Sequence, residues 1–143
     1  MSYLYLGSPY GDPDPEIMHK RFRVAEWVAY NIMVNQRITV YSPILSWHEP
    51  AARWKMPLDW KFWREPSRDM LKGANALIIL PLEGWLHSRG LTEERTWAKN
   101  WERPIEFLYI GDKSVDIVDN FIRSYSLDHC LEIIDAALDH LGS

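Results

Sequence analysis

Residues 75–98 constrain the fold most, because a strand, a glycine-bearing turn and a helix follow one another there. Residues 76–82 are continuously apolar and rich in Ile and Leu, which is typical of a strand buried on both faces. A turn with Gly84 and Gly90 follows, and an acidic helical segment comes next. In α/β proteins, ligands bind just outside the carboxyl end of such a strand. We therefore expect the ligand site at this turn.

The rest of the chain predicts an α/β fold, with an open, mostly parallel sheet and helices on both faces. The expected strands and amphipathic helices alternate: strands at residues 3–6, 38–41 and 104–110, and helices at 15–36, 91–101 and 127–141. Residues 45–66 show no period and are rich in Trp, Pro and charge, which predicts a long loop with short helical pieces, usable as a lid. Residues 113–125 fit either a strand or a helical turn.

Composition excludes several classes of protein. The chain of 143 residues fits one domain spanning residues 1–143. Its net charge of −4 argues against a protein that coats nucleic acid, because neutralising phosphates needs a cationic face. The lone cysteine provides no disulfide framework, and the histidines lack metal-ligand spacing, so we expect no metal. With neither a signal peptide nor a membrane span in the sequence, we expect a cytoplasmic protein without a membrane partner.

Glu94 is the first candidate for a functional acid. On the predicted helix, Leu91 and Ala98 share its face, so its side chain is expected to point toward the sheet. Glu93 lies about 100° away around the helix axis. A carboxylate in the first turn, on the apolar side, would be partly desolvated and stabilised by the positive end of the helix. The alternative is a capping glutamate without a catalytic function.

Two turns are candidates for holding an anionic ligand. Ser88 and Gly90 precede the predicted helix, whose free amides form an anion site together with a hydroxyl. The first strand ends in a second turn, formed by Gly7, Ser8, Pro9 and Tyr10. If the first and third strands are neighbours, as in a flavodoxin-like order, these turns face each other across the topological switch point. Serine also caps many helices without binding a ligand, so both interpretations stay open.

Three further features each admit two interpretations. His48 lies in the Trp-rich segment, and a lone histidine is more often structural or exposed than catalytic. Asp69 precedes the third strand and would lie near the neighbouring turn, although most such aspartates are surface residues. The tryptophans between Trp47 and Trp63 fit a platform that stacks on a nucleobase and fit a dimer interface equally well.

A series of short segments spread over residues 3–110 carries a family pattern. The segments are YLYLGSPY, DPDPEIMHKRFRVA, SPILSWH, MPLDWKFW, DMLKGANALIIL, LEGW-x-x-SRG-x-x-x-E and RPIEFL. They resemble a group of small uncharacterised bacterial and phage proteins of the nucleoside 2-deoxyribosyltransferase-like superfamily. This resemblance implies a flavodoxin-like three-layer sandwich with a mostly parallel sheet of about five strands. It also implies a homo-oligomer, a dimer or larger, that acts on a nucleoside or nucleotide without a cofactor.

The resemblance also implies roles for single residues. In the superfamily, a glutamate four residues after the turn glycine attacks the anomeric carbon of the sugar, and Glu94 stands in that position after Gly90. Water or a second base then resolves the glycosyl-enzyme, as in retaining glycosidases. Relatives that hydrolyse monophosphates have serine where Ser88 stands, which favours a nucleotide over a nucleoside as ligand. Trp85 belongs to the same motif and is expected to contact the substrate.

Two departures from the superfamily pattern concern the acid that protonates the leaving base. Aspartate is expected at the positions that Ser67 and Asn75 occupy in this chain. Either Asp69, two residues after Ser67, takes over through a local shift, or the acid is missing. A histidine pair of the relatives is reduced to His48, with Ser46 at the other position.

One hypothesis and two alternatives follow from the sequence. The first is an N-glycosidase or deoxyribosyltransferase that uses Glu94 to cleave the N-glycosidic bond of a (deoxy)nucleoside 5′-monophosphate. The second is a non-catalytic nucleotide-binding module or sensor, which kept the site and lost the acid. The third is an interaction protein whose Trp-rich segment is mostly interface.

Overall fold

Strands and helices alternate along the chain in the computed structural model, which describes residues 2–118 and 122–142. The strands are β1 Leu4–Gly7, β2 Val40–Tyr41, β3 Ala76–Ile79, β4 Ile105–Ile110 and β5 Val115–Val118. The helices are α1 Pro15–Gln36, α2 Pro43–Trp54, α3 Trp60–Lys72, α4 Arg89–Asn100 and α5 Leu127–Leu141. A 3₁₀ turn at Trp85–His87 precedes α4. The predicted mixed α/β class is confirmed.

The described strands form one sheet in the order β2-β1-β3-β4-β5. The first four pair in parallel, and β5 pairs antiparallel with β4, so the sheet is mostly parallel as predicted. β1 and β3 are neighbours, and Gly7 at the end of β1 pairs with Ile79 at the end of β3. The turns that follow these two strands therefore lie at the same edge of the sheet.

Side chains that alternate across the sheet build two apolar cores. On one face, Leu6 and Ile78 pack with α1 and α5. On the other face, Tyr5 and Leu77 pack with α3 and α4. Successive residues of a strand point to opposite faces, so burial on both sides accounts for the continuous apolar run in β3. Helices on both faces of the sheet are compatible with a three-layer α/β fold.

Local capping signals define where α1 and α5 begin. The side chain of Asp14 accepts a hydrogen bond from the backbone N–H of Glu16 at 2.9 Å, and Pro15 occupies the first helical position. Ser126 accepts a hydrogen bond from the backbone N–H of His129 at 3.1 Å. Both caps satisfy amides that have no partner inside the helix. The helices predicted at 15–36 and 127–141 are confirmed.

The prediction of a long loop at residues 45–66 is wrong, because two helices occupy most of this segment. The hydroxyl of Ser42 caps α2, and Asp59 precedes the first residue of α3. Pro50 and Pro66 lie inside these helices. Each proline removes one backbone hydrogen bond of its helix, and its presence hides the helical pattern in the sequence.

The segment for which the sequence admitted two interpretations contains β5. Val115–Val118 is extended, while residues 119–121 lie outside the described part of the chain. The third strand is shorter than the predicted 76–82, because β3 ends at Ile79 and Leu82 makes a separate bridge with Tyr125. Within residues 2–118 and 122–142, no helix is long and apolar enough to cross a membrane.

Candidate functional site

A cavity of about 450 Å³ opens at the carboxyl ends of β1 and β3. Its walls come from the turn after β1, from α1, α2 and α3, and from the segment that leads into α4. The Trp-rich segment therefore contributes two helices to the wall where a loop was expected. Most of the predicted site residues line this cavity: Gly7, Ser8, Pro9, Tyr10, His48, Ser88, Gly90 and Glu94.

Glu94 is the buried acid of this cavity. Its residue exposure is 5%, and it shares the buried face of α4 with Leu91 and Ala98, as the helical spacing predicts. The hydroxyl of Tyr5 donates a hydrogen bond to Glu94 Oε2. Burial raises the pKa of Glu94 to about 8, while the Tyr5 hydrogen bond acts in the opposite direction. Glu94 is thus a desolvated carboxyl held at the end of the central strands.

Glu93, the preceding residue, connects two helices. The indole N–H of Trp60 donates a hydrogen bond to Glu93, and Arg64 Nε donates to its Oε1 at 3.1 Å. Burial alone would raise the pKa of Glu93, but the hydrogen bonds from Trp60 and Arg64 outweigh burial and lower it. The two adjacent carboxyls therefore have opposite pKa shifts, with Glu93 joining α3 to α4 and Glu94 facing the cavity.

Two glycines allow close packing around the cavity. A Cβ atom on Gly7 would lie 2.8 Å from Leu91 Cδ1 and 3.0 Å from Leu77 Cδ1, and 3.5 Å from Glu94 Oε1. A Cβ atom on Gly90 would lie 3.1 Å from two ring atoms of Trp60. Because glycine lacks this atom, α4 can approach β1, and the ring of Trp60 can reach the cavity wall.

Arg21 also lines the cavity, although the sequence analysis did not select it. Its Nη1 donates hydrogen bonds to the backbone carbonyls of Tyr10 and Gly11, each at 3.0 Å, and thereby holds the turn after β1. A signal was present in the sequence, because Met18 and Ala25 lie three and four residues away and belong to the buried side of α1. That spacing places Arg21 next to the buried face.

The start of α4 presents polar groups to the cavity. The hydroxyl of Ser88 accepts a hydrogen bond from the backbone N–H of Leu91 at 3.2 Å, so this serine caps the helix. His87 and Arg89 line the same edge. A helix N-terminus favours negative charge, Arg89 adds a cation at the first position of α4, and Arg21 lines the same cavity. This edge is therefore suited to an anionic group.

Ser8 has a buried oxygen without a partner. Within the described residues, its Oγ makes no hydrogen bond although it is shielded from solvent. An unsatisfied buried hydroxyl costs about 1–3 kcal/mol, so a partner is expected in the functional state. Ser8 lines the cavity, and a polar ligand atom there would satisfy it.

Tyr10, His48 and His19 form a hydrogen-bonded chain along the wall. The Tyr10 hydroxyl lies 2.6 Å from His48 Nδ1, and His48 Nε2 lies 3.1 Å from His19 Nδ1. The ring of His48 stacks on Phe22 with centroids 4.4 Å apart. Burial and the charge of His19 lower the pKa of His48, against the opposite effect of Glu49, and burial raises the pKa of Tyr10.

The structure does not bring Asp69 to the cavity. Asp69 is exposed on α3, whereas Ser67 is 3% exposed and lines the cavity. Residues two apart on a helix point about 200° apart, so Asp69 has no local route to the position of Ser67. Among the described residues in the cavity wall, Glu94 is the one carboxyl. The expectation that Asp69 takes over the missing aspartate is therefore not supported by its position.

Trp85 also lies away from the cavity. Its ring packs edge-on against Phe107 with centroids 5.5 Å apart, and its indole N–H donates to Ser124 Oγ at 3.0 Å. This tryptophan anchors the turn before α4 in the apolar core. Three other tryptophans line the cavity: Trp47, Trp60 and Trp63.

Together, the described wall offers the buried carboxyl of Glu94, the guanidinium groups of Arg21 and Arg89, the unpaired hydroxyl of Ser8, and aromatic rings. This combination fits a small organic molecule that carries both an anionic group and a ring. In residues 2–118 and 122–142, no three His, Cys, Asp or Glu side chains lie together in a way that could hold a metal ion.

The fold and the cavity define an α/β protein with a polar site at the carboxyl ends of two adjacent parallel strands. The chain belongs to a family described as a domain of unknown function, DUF1937, whose profile matches residues 2–109. The match contains every described residue that lines the cavity, while α5 follows it. A comparison with curated proteins finds no match. The expected membership of an uncharacterised family is confirmed, and the superfamily assignment stays a prediction.

Proposed function

We propose that this protein is an N-glycosidase that cleaves the N-glycosidic bond of a (deoxy)nucleoside 5′-monophosphate, with Glu94 as the nucleophile. One observation carries the proposal: the carboxyl of Glu94 is buried in the cavity, hydrogen-bonded to Tyr5 and closely approached by Gly7. The sheet order supports the flavodoxin-like arrangement that the resemblance to nucleoside 2-deoxyribosyltransferase-like proteins implies. The acceptor is water, or a second base if the protein is a transferase.

The reaction proceeds in two steps, formation of a glycosyl-enzyme and its hydrolysis. First, the Glu94 carboxylate attacks C1′ of the sugar, the bond from C1′ to the base breaks, and the base leaves with the bonding electrons and gains a proton. Second, water attacks C1′ and loses one proton to solvent, the bond from C1′ to Glu94 breaks, and the sugar phosphate is released with a new hydroxyl while Glu94 is restored as a carboxylate. Because positive charge develops on the sugar in both transition states, a desolvated carboxylate stabilises them.

Glu94 attacks only in its ionised form. Burial raises the pKa of Glu94 to about 8, so the protonated form dominates at neutral pH. The hydrogen bond from Tyr5 favours the carboxylate. The rate of the first step is therefore expected to rise as the pH increases from about 6 to about 8.

Each part of a nucleotide has suitable groups in the cavity. The 5′-phosphate fits the N-terminus of α4, where Arg89 is the first helical residue, and Arg21 lines the same cavity. Ser8 Oγ offers an unpaired hydroxyl to the sugar. The rings of Trp47 and Trp60 line the cavity, where they can contact the base. The cavity of about 450 Å³ lies in the usual range for small-molecule sites.

A nucleotide-binding module without catalysis is the second candidate. The position of Asp69 favours it, because glycosidases that work with paired carboxyl groups place both of them at the scissile bond. In the described wall, Glu94 has no such carboxyl partner. A binding protein would hold the same ligand through the same cations and leave the bond intact.

The test is incubation of the protein with a panel of nucleoside and deoxynucleoside 5′-monophosphates and the matching nucleosides, with free base measured by chromatography. We expect release from at least one monophosphate, and loss of at least about 10³-fold in Glu94→Gln. Glu65→Gln makes the same change at an exposed position and is expected to match wild type. Release that persists in Glu94→Gln would contradict the nucleophile. Binding of a monophosphate in calorimetry without any release would instead select the second candidate.

A further inference from the structure

We propose that Tyr10, His48 and His19 form a proton relay that carries a proton from solvent to the departing base. This inference rests on the proposed function, because an N-glycosidase must protonate its leaving group. The described cavity wall has no second carboxyl for this task, since Asp69 is exposed on another face of α3. The hydrogen-bonded chain along the wall supplies the acid that the sequence pattern lacks.

The relay connects the cavity to the surface. Tyr10 and His48 both line the cavity, and His19 is exposed on α1. The two links measure 2.6 Å from the Tyr10 hydroxyl to His48 Nδ1 and 3.1 Å from His48 Nε2 to His19 Nδ1. Both distances lie within the normal range of hydrogen bonds, so neighbouring groups can exchange protons without first moving closer together.

The relay groups are held in position from several sides. Arg21 donates hydrogen bonds to the carbonyls of Tyr10 and Gly11, which positions the turn that carries Tyr10. Phe22 stacks on His48 with centroids 4.4 Å apart, and His19 stacks on the same phenylalanine at 5.7 Å. Groups fixed by packing and hydrogen bonds keep the geometry that proton transfer needs.

The hydrogen bonds of the relay can run in either direction, and one direction lets Tyr10 donate a proton to a ligand. In that direction, His19 Nδ1–H donates to His48 Nε2, and His48 Nδ1–H donates to the oxygen of Tyr10. The hydrogen of the Tyr10 hydroxyl is then free to bond a ligand in the cavity. In the reverse polarity the same hydroxyl donates to His48, so one proton shift along the chain interconverts the two states.

Each group of the relay gains one proton for each proton that it gives up. When the bond from C1′ to the base breaks, the base keeps the electron pair and takes the hydroxyl proton of Tyr10. Tyr10 recovers a proton from His48 Nδ1, His48 recovers one at Nε2 from His19, and His19 takes one from solvent at its other nitrogen. Burial raises the pKa of Tyr10, so a free tyrosinate is disfavoured and the transfers occur together. The net change is one proton moved from solvent to base.

Few charged groups act on His48. His19 faces it from α1, Tyr10 faces it from the turn after β1, and Glu49 is its neighbour on α2. The charge of His19 opposes protonation of His48, and the charge of Glu49 favours it. The lowered pKa of His48 favours its neutral form, which is the form that the relay uses in the direction described above.

The test compares leaving groups that need a proton with one that does not. Unmodified purine 5′-monophosphates need protonation of the base, whereas 7-methylguanosine 5′-monophosphate already carries a positive base that departs without a proton. Tyr10→Phe and His48→Gln are expected to lose about 10²–10⁴-fold in base release from the unmodified nucleotides. The loss is expected to stay below about tenfold with the methylated nucleotide. His129→Gln, a change on α5 away from the cavity, serves as control.

A second variant separates proton delivery from packing. His19→Ala removes the exposed end of the relay, and imidazole in the buffer is expected to restore activity because it can replace the missing ring. Equal losses on both kinds of leaving group, or absence of rescue, would mean that these residues only support the structure. Unchanged activity in all three variants would also overturn the relay.

The proposed function can fail independently of the relay. If Glu94→Gln releases base as fast as wild type from both substrates, the nucleophile is wrong, whatever the relay variants do. If Glu94→Gln is inactive on both substrates and the relay variants show no leaving-group dependence, the nucleophile stands and the relay is wrong. Thermal unfolding of each variant confirms that the comparison is made on folded protein.

Discussion

The phenol of Tyr5 on β1 donates a hydrogen bond to the carboxyl of Glu94 on α4, although 89 residues separate them in the sequence. Both side chains are buried. Burial and the neighbouring Glu94 hold the pKa of Tyr5 well above its usual range, so its hydroxyl stays protonated and available as a donor. Tyr5 thereby counteracts part of the cost of ionising Glu94.

Tyr5→Phe is expected to move the ascending limb of the pH–rate profile to higher pH. The phenylalanine keeps the ring in the core but removes the hydrogen bond that lowers the pKa of Glu94. A hydrogen bond to a charged group contributes about 1.5–3 kcal/mol, which corresponds to a shift of roughly one to two pH units. Tyr30→Phe, a change at an exposed tyrosine, is the control. A limb that stays in place would show that Tyr5 does not act on Glu94.

Glu94→Gln is expected to change how stability depends on pH. The folded-state pKa of about 8 lies above the unfolded value of a glutamate, near 4.3. Between these values the folded state binds more protons, so wild-type stability falls as the pH rises toward 8 and then levels off. The variant lacks this dependence and is expected to gain roughly 2–5 kcal/mol on wild type between pH 5 and pH 8.5. Urea unfolding at both pH values measures it, and parallel stability curves would contradict it.

Gly7→Ala is expected to destabilise the protein by about 1–3 kcal/mol and to impair base release. The new methyl group would lie 2.8 Å from Leu91 Cδ1 and 3.0 Å from Leu77 Cδ1, and both of these leucines are buried, so the side chains must repack. The added methyl group would also lie 3.5 Å from Glu94 Oε1, so repacking at this point changes the surroundings of the nucleophile. Gly11→Ala is the matched control, because nothing lies within 4 Å of its added Cβ atom. Equal melting temperatures for the two variants would refute the close contact between α4 and β1.

Arg89→Gln is expected to weaken the use of 5′-monophosphates while leaving the matching nucleosides unaffected. Arg89 lines the cavity at the first position of α4, where the phosphate is proposed to bind. Loss of one charge-assisted contact predicts a decrease of about tenfold or more in kcat/KM for monophosphates. Arg95→Gln removes the same charge from the same helix, at a residue that stacks on Trp85 outside the cavity. A similar loss for nucleosides would place the phosphate elsewhere.

Regular periodicity and caps made much of the fold predictable. Asp14 and Pro15 mark the start of α1. The apolar run of β3 predicts a strand that is buried on both faces. The helical face of Glu94 followed from its spacing to buried neighbours. These features depend on contacts within a few residues, which the sequence displays directly.

The features that sequence reasoning missed depend on less regular signals. Pro50 and Pro66 concealed α2 and α3, although the cap at Ser42 offered a start signal. The motif around Trp85 did not reveal that its ring turns into the core. For Asp69, the helix α3 decides which way its carboxyl points, and the sequence predicts a loop over the first half of α3. The direction of a side chain cannot be predicted from spacing where the secondary structure of its segment is predicted wrongly.

The most direct test of the central claim is to trap the covalent intermediate. A 2′-fluorinated deoxynucleotide slows the departure of the base and the hydrolysis of the glycosyl-enzyme, so the sugar phosphate accumulates on the nucleophile. After incubation, proteolysis and mass spectrometry, we predict that the sugar phosphate is attached to Glu94 and that Glu94→Gln carries no adduct. An adduct on another residue, or rapid base release without any adduct, would contradict the account.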